Sequence, residues 1–240
     1  MPHNLMLSVD TKPSEAASQI QEAFATGCSY LHVKRPNDGA LATFYGAVAR
    51  LLGEPADMKE DADGNKTGEK HTDIAYPWPF QSKSYSHSNT RQPFHTDGAY
   101  ESEAPELVYF FCRHQAKHGG ATVFIDNKQL VELIRLFDAS LLVRLRTEPV
   151  LFSKGNDHKT RPIIGDADQL TWNWHRCDQQ AELPKAFHNF LETVVWDGGI
   201  YDPVVLSPGH AVFFKDSACL HGRQSFLGTR WLVKGGIHLA

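Results

Sequence analysis

Residues 93–126 read PFHTDGAYESEAPELVYFFCRHQAKHGGATVFID, and the fold is decided here. Glu106–Arg113 and Ala121–Asp126 are dense in the β-branched and aromatic residues that suit a pleated, packed surface. Gly119-Gly120 between them is a turn signal of the hairpin kind. Just ahead stands Pro93-Phe94-His95-Thr96-Asp97-Gly98. On an extended segment, residues two apart project to the same face, so His95 and Asp97 can address one ion. An imidazole and a carboxylate need one more imidazole to complete a 2-His-1-carboxylate face, the donor set that leaves open positions on iron(II). His221, in Cys219-Leu220-His221-Gly222-Arg223 after another β-rich run, is a candidate. Residues 71–73 also read His-Thr-Asp, in a polar stretch, so spacing alone leaves two such segments in play.

Working outward, strand-like runs continue at Val150–Ser153, Gln169–Trp174, Tyr201–Leu206, His210–Lys215 and Arg230–Ile237. Helical periodicity follows residue 126, with Leu130, Leu133, Ile134 and Phe137, and returns around Glu182–Val195. Toward the N-terminus, Pro13 opens and Gly27 closes one helix, Tyr30–Arg35 suggests a short strand, and a second helix runs from Ala40 to Leu52. Many short strands with Gly/Pro turns and a few helices predict a mainly β fold with flanking helices, a barrel or jelly roll. Residues 54–93 are polar, punctuated by Gly and Pro, and lack a sustained period. A loop of that length in a compact domain is usually functional, and its aromatic half, Tyr76-Pro-Trp78-Pro-Phe80, suggests a lid or pocket wall.

The chain has 240 residues, the size of one β-rich domain, so residues 1–240 are expected to form a single unit. Lys+Arg 24 against Asp+Glu 28 gives a net charge of -4, with no basic excess to neutralise phosphates, which argues against a nucleic-acid partner. No stretch approaches the roughly 18–20 apolar residues of a membrane span. The opening MPHNLMLSVD does not read as a signal peptide. Cys28, Cys112, Cys177 and Cys219 form no CxxC pair, which disfavours a zinc knuckle, and the expected setting is a reducing cytoplasm. The 13 histidines are an excess that makes metal worth testing.

Taken in order, FHTDG, GGATVFID, PGHAVFFKDSACLHGR and TRWLVK resemble the taurine dioxygenase and clavaminate synthase-like superfamily of iron(II)/2-oxoglutarate oxygenases. The resemblance extends to the early GCSYLHVKR and ARLLGEP segments. It implies a double-stranded β-helix core of the jelly-roll, cupin-like kind, with Fe(II) as metal and 2-oxoglutarate and O2 as co-substrates. By position, His95, Asp97 and His221 match the catalytic iron ligands, and Thr122 and Arg230 match the residues that hold the distal carboxylate of 2-oxoglutarate. A planar guanidinium suits that task because it can grip a carboxylate through two hydrogen bonds. His71 and Asp73 lack the downstream matches. Lys234 stands where the taurine enzyme carries a further arginine for its substrate's anionic group, so a sulfonate is not implied.

The resemblance implies oxidative decarboxylation to succinate and CO2 coupled to attack on a substrate C–H bond. A carboxylate at Asp97, which related halogenases replace by a small residue, points to hydroxylation, desaturation or ring closure. The expected substrate is a small, amino-acid-derived or anionic metabolite. By position its pocket would be walled by Tyr76, Trp78, Phe80, Ser82, Tyr85, Arg91, Arg223 and Lys234. Two rivals use the same residues: a non-catalytic binding protein on this fold, and a zinc hydrolase, which would have no use for Arg230.

Overall fold

The computed structural model describes residues 3–59, 66–77 and 87–239. Two sheets face each other. The larger runs from edge to edge as β1 (His3–Met6), β2 (Tyr30–Lys34), β12 (Ala211–Lys215), β6 (Leu107–His114), β15 (Arg230–Leu239) and β3 (Gly53–Pro55), with β4 (His71–Tyr76) also paired to β15. The smaller runs β11 (Asp202–Val204), β8 (Thr122–Asp126), β13 (Cys219–Arg223) and β5 (Gln92–His95). Two short ladders, β9 (Val150–Lys154) with β10 (Asp157–Arg161) and β7 (His118–Gly119) with β14 (Phe226–Leu227), complete the strands. β1 lies parallel to β2, and the other pairs in the two large sheets are antiparallel. This is the expected jelly roll, and a solved structure described below shares its fold.

Three apolar layers explain why β6 reads as an almost unbroken apolar run. Leu107, Tyr109 and Phe111 pack outward against Ile20 and Phe24 of α1 (Pro13–Ala25) and Phe44 and Val48 of α2 (Leu41–Leu52). Val108, Phe110 and Cys112 alternate inward to meet Phe124, Phe214 and Leu232 between the sheets. A strand covered on both faces has no polar face to show. The smaller sheet is covered in turn, with Val123, Ile125 and Leu220 packing on α3 (Asn127–Phe137), α4 (Ala139–Thr147) and α5 (Glu182–Phe190). Each such large apolar side chain contributes about 1.5–3 kcal/mol by leaving water.

Two expectations need correction. Residues 54–93 are not one loop, because His71–Tyr76 is a strand along β15. Its alternation is hidden because His71 bonds the Tyr109 hydroxyl at 2.7 Å and Asp73 accepts from the Trp231 indole at 2.7 Å, so polar side chains satisfy what would otherwise be an apolar face. Gln169–Trp174 forms no ladder beyond a bridge from Leu170 to Ile164. Its tryptophans serve packing instead, Trp172 lying buried against Phe187 with rings 4.8 Å apart. Among the described residues no helix is long and apolar enough to cross a membrane.

Candidate metal centre

Period two on the facing strands builds the site. On β13, Cys219, His221 and Arg223 share the inner face while Leu220 turns to the helices. On β5 the buried Phe94 joins the helix-side core and His95 faces the other way. Antiparallel pairing sets His221 directly opposite His95, and their rings lie 4.2 Å apart. The intervening Thr96 is buried, its amide 2.6 Å from the Trp172 carbonyl and its hydroxyl accepting from the Trp172 amide at 3.1 Å. That clamp holds the extended segment so that His95 and Asp97 both look into the barrel.

Donor atoms of His95, Asp97 and His221 all lie within 4.8 Å of one another, and no other such group gathers among the described residues. His221 Nε2 is 3.6 Å from Asp97 Oδ2, and His95 Nε2 is 3.9 Å from Asp97 Oδ1. The Pro93 carbonyl, 2.9 Å from His95 Nδ1, can only accept, so Nδ1 carries the proton and Nε2 offers its lone pair. Burial, and then the neighbouring His95, push the His221 pKa down to about 3, and burial lowers that of His95 too. Both imidazoles are therefore neutral, the form that binds metal. Burial works to raise the Asp97 pKa, but the Lys234 ammonium beside it outweighs that and holds the carboxylate ionised. Asp97 Oδ2 and His221 Nδ1 are buried without a hydrogen-bond partner. Two neutral imidazoles, one carboxylate and an unpartnered oxygen aimed among them fit a divalent first-row metal with open positions.

Sequence reasoning missed Asp216. It sits in the turn between β12 and β13, buried, and its carboxylate accepts from the amides of Asp97 at 3.0 Å and Gly98 at 3.1 Å. Its Oδ1 also lies 3.8 Å from His221 Nδ1. One side chain thus braces the backbone of one candidate ligand and lies close behind another. An aspartate in a turn is commonplace, and nothing local marked this one.

The trio opens into a cavity of about 710 Å³ that Thr122, Arg223, Arg230 and Lys234 also line. Thr122 is buried on β8 directly opposite Arg223. Arg230 is 3% exposed, its Nε has no hydrogen-bond partner, and burial followed by the like charge of Arg223 disfavours its charged form. A guanidinium so placed calls for an anion. Gly120, at φ +75°, makes room for it: a Cβ there would stand 3.3 Å from Arg230 Cδ and Nε.

The other expected pocket residues divide. Lys234 reaches the site, with Nζ 2.9 Å from Asp97 Oδ1. Arg223 lines the cavity while its Nη2 ties down the carbonyls of Ser88 at 2.7 Å and Thr90 at 2.9 Å. Arg91 does not wall the pocket: it pairs with Glu192 and lies 4.4 Å over the Trp196 ring. Tyr76 packs edge-on against Phe226 in a buried cluster outside the cavity lining. Trp78, Phe80, Ser82 and Tyr85 lie outside the described residues. His71 of the second His-Thr-Asp segment stacks edge-on against Tyr109 and Phe111 on the helix side.

Comparison with known proteins places this geometry. The chain is 27% identical over 159 residues to Dioxygenase str8 of Strobilurus tenacellus, covering 60% of this chain and 37% of that protein. It is 27% identical over 158 residues to a trimethyllysine dioxygenase of Meyerozyma guilliermondii, covering 57% and 39%. The matches thus span under two fifths of either relative's length. An asparagine oxygenase solved with Fe(II), 2S,3S-3-hydroxyasparagine and succinate superposes with a TM-score of 0.77 at 15% identity, over 98% of this chain and 93% of that one. A family profile matches residues 14–196, which contain His95, Asp97 and Thr122 and stop short of His221 and Arg230. With most of its length matched by that profile and its strands wound as a jelly roll, the chain belongs to the taurine catabolism dioxygenase TauD, TfdA family.

Proposed function

We propose that the protein is an Fe(II)- and 2-oxoglutarate-dependent dioxygenase that hydroxylates a C–H bond of a small, amino-acid-derived or anionic metabolite. The observation that carries this reading is the meeting, in one cavity, of the His95, Asp97 and His221 donors with a buried arginine whose Nε lacks a partner. His95 Nε2, an Asp97 oxygen and His221 Nε2 would hold the metal. Bound iron with 2-oxoglutarate and O2 supplies the oxidising chemistry, one oxygen atom going to the substrate and one to the succinate released with CO2.

The chain's own task is binding, orientation and exclusion of water. Arg230 and Thr122 would receive the distal carboxylate of 2-oxoglutarate, since the guanidinium has a fork to offer and the buried wall gives it no competing solvent. Phe110, Phe124 and Phe214 surround the His221 ring at centroid distances of 6.0, 6.4 and 4.7 Å, keeping that side of the site dry. The amino-acid class draws support from the cavity's mixed charges, with Lys234 and Arg176 on its lining alongside Glu101. It also agrees with the asparagine and trimethyllysine enzymes among the similar proteins. A cytoplasmic setting fits four free cysteines, three of them buried.

The test is succinate formation from a panel of amino acids and their derivatives under Fe(II), 2-oxoglutarate and O2, with product mass recorded. A gain of one oxygen is expected. His95→Ala, Asp97→Ala and His221→Ala should each abolish turnover while His71→Ala retains it; equal loss in His71→Ala would overturn the ligand assignment.

A further inference from the structure

We propose that Lys234 competes with the metal for Asp97, so that the site takes its cation tightly only when an anionic ligand draws the ammonium away. This rests on the ligand assignment above. Lys234 Nζ lies 2.9 Å from Asp97 Oδ1, and the two side chains are 15% and 22% exposed, so the pair is largely shielded from water and salt. The lysine has little freedom to leave by itself. It sits on β15 between two ladder neighbours, Phe110 on β6 and Thr72 on β4, and Arg230, Leu232 and Lys234 alternate onto the inner face of that strand.

Charge decides the consequence. Asp97 and Lys234 already form a pair at 2.9 Å, and a dication entering the trio shares its only carboxylate donor with an ammonium. Repulsion between them acts over the same few ångströms that separate the donors. An incoming carboxylate gives the ammonium another partner and removes the conflict. Metal and anion therefore raise one another's affinity by the same factor, as linkage requires. No other amine is paired with the candidate ligands among the described residues; Lys154, in the same cavity, bonds the Tyr100 hydroxyl at 3.1 Å instead.

The experiment measures Mn(II) binding to the chelator-stripped full chain by loss of the free-ion EPR signal, with and without 2-oxoglutarate. Lys234→Met, and Lys234→Gln as a second variant should the first fail to fold, are expected to bind Mn(II) at least about fivefold more tightly without 2-oxoglutarate. The tightening produced by 2-oxoglutarate should be smaller in them than in the wild type. Unchanged or weaker Mn(II) binding in both variants overturns the proposal. So does equal tightening in Lys154→Met, which would assign the effect to the cavity's overall charge. If wild-type Mn(II) binding survives His95→Ala, the ligand assignment itself is wrong; if His95→Ala abolishes it while the Lys234 variants match the wild type, only the competition is wrong.

Discussion

Replacing Asp216 separates two things it does: it carries a charge, and it accepts two amide hydrogens. Burial, and then the charge of Asp97, push its pKa up to about 7, so deleting the carboxylate relieves an unfavourable charge while it strands the amides. A single Asp216→Ala measurement would mix those effects. Asp216→Asn removes the same charge and keeps an oxygen within reach of the Asp97 and Gly98 amides, which now donate at 3.0 and 3.1 Å. The difference between the two variants isolates the hydrogen bonds. Leaving one buried amide unsatisfied costs about 1–3 kcal/mol, so Asp216→Ala should be about 2–6 kcal/mol less stable than Asp216→Asn in urea unfolding at fixed pH. Because those amides hold Asp97 in place, Asp216→Ala should also bind Mn(II) about 10–100-fold more weakly than the wild type, with Asp216→Asn between them. Equal stability and equal Mn(II) affinity in the two variants would refute the bracing role. A stability gap without an affinity gap would confine Asp216 to holding the turn.

Gly120→Ala should lose about 1–2 kcal/mol, since φ +75° disfavours a side chain. Because the new Cβ meets Arg230 and the Cβ of Phe226 at 3.2–3.3 Å, the variant should also raise the 2-oxoglutarate requirement while Mn(II) affinity holds; an unchanged requirement would detach Arg230 from that ligand. His32, buried with Nε2 3.1 Å from His210 Nδ1, has its pKa lowered to about 4 by burial and then by His210. Between the ordinary 6.5 and about 4 the unfolded chain takes up a proton that the folded chain refuses, so stability is present above pH 6.5 and lost as pH falls toward 4. At about 1.4 kcal/mol per pH decade the loss is about 3 kcal/mol, and urea midpoints of His32→Gln should lack that slope.

How much of this was legible in sequence depends on how far apart the deciding residues lie. The strands β6, β8 and β12 announce themselves because helices bury one face and the opposite sheet buries the other, so nearly every position is apolar. The strand β4 does not, because its outer face is satisfied by hydrogen bonds to Tyr109 and Trp231, partners remote in the chain. Arg91 stands four residues before His95 and was assigned to the pocket on that nearness, yet the fold spends it on Glu192 and Trp196. Asp216 went unnoticed for the complementary reason: it is remote in sequence from Asp97, and only the turn from β12 to β13 brings it against the Asp97 and Gly98 amides.

The two His-Thr-Asp segments make the same point most sharply. Both histidines stand on strands with an aspartate two residues on, although β5 ends at His95 and Asp97 lies in the turn that follows, and no property of the three residues in sequence separates the two segments. What separates them is the strand opposite. β5 lies against β13 in a register that faces His95 with His221, while β4 lies against β15 in a register that faces His71 with Gly235 and Asp73 with Val233. A three-donor site needs its third donor from across the ladder, and cross-strand register is a long-range property that spacing within one segment does not encode. The order of motifs along the whole chain does encode it, because a jelly roll winds in one topology. That is why the family pattern singled out His95 and Asp97 where local chemistry left two candidates standing.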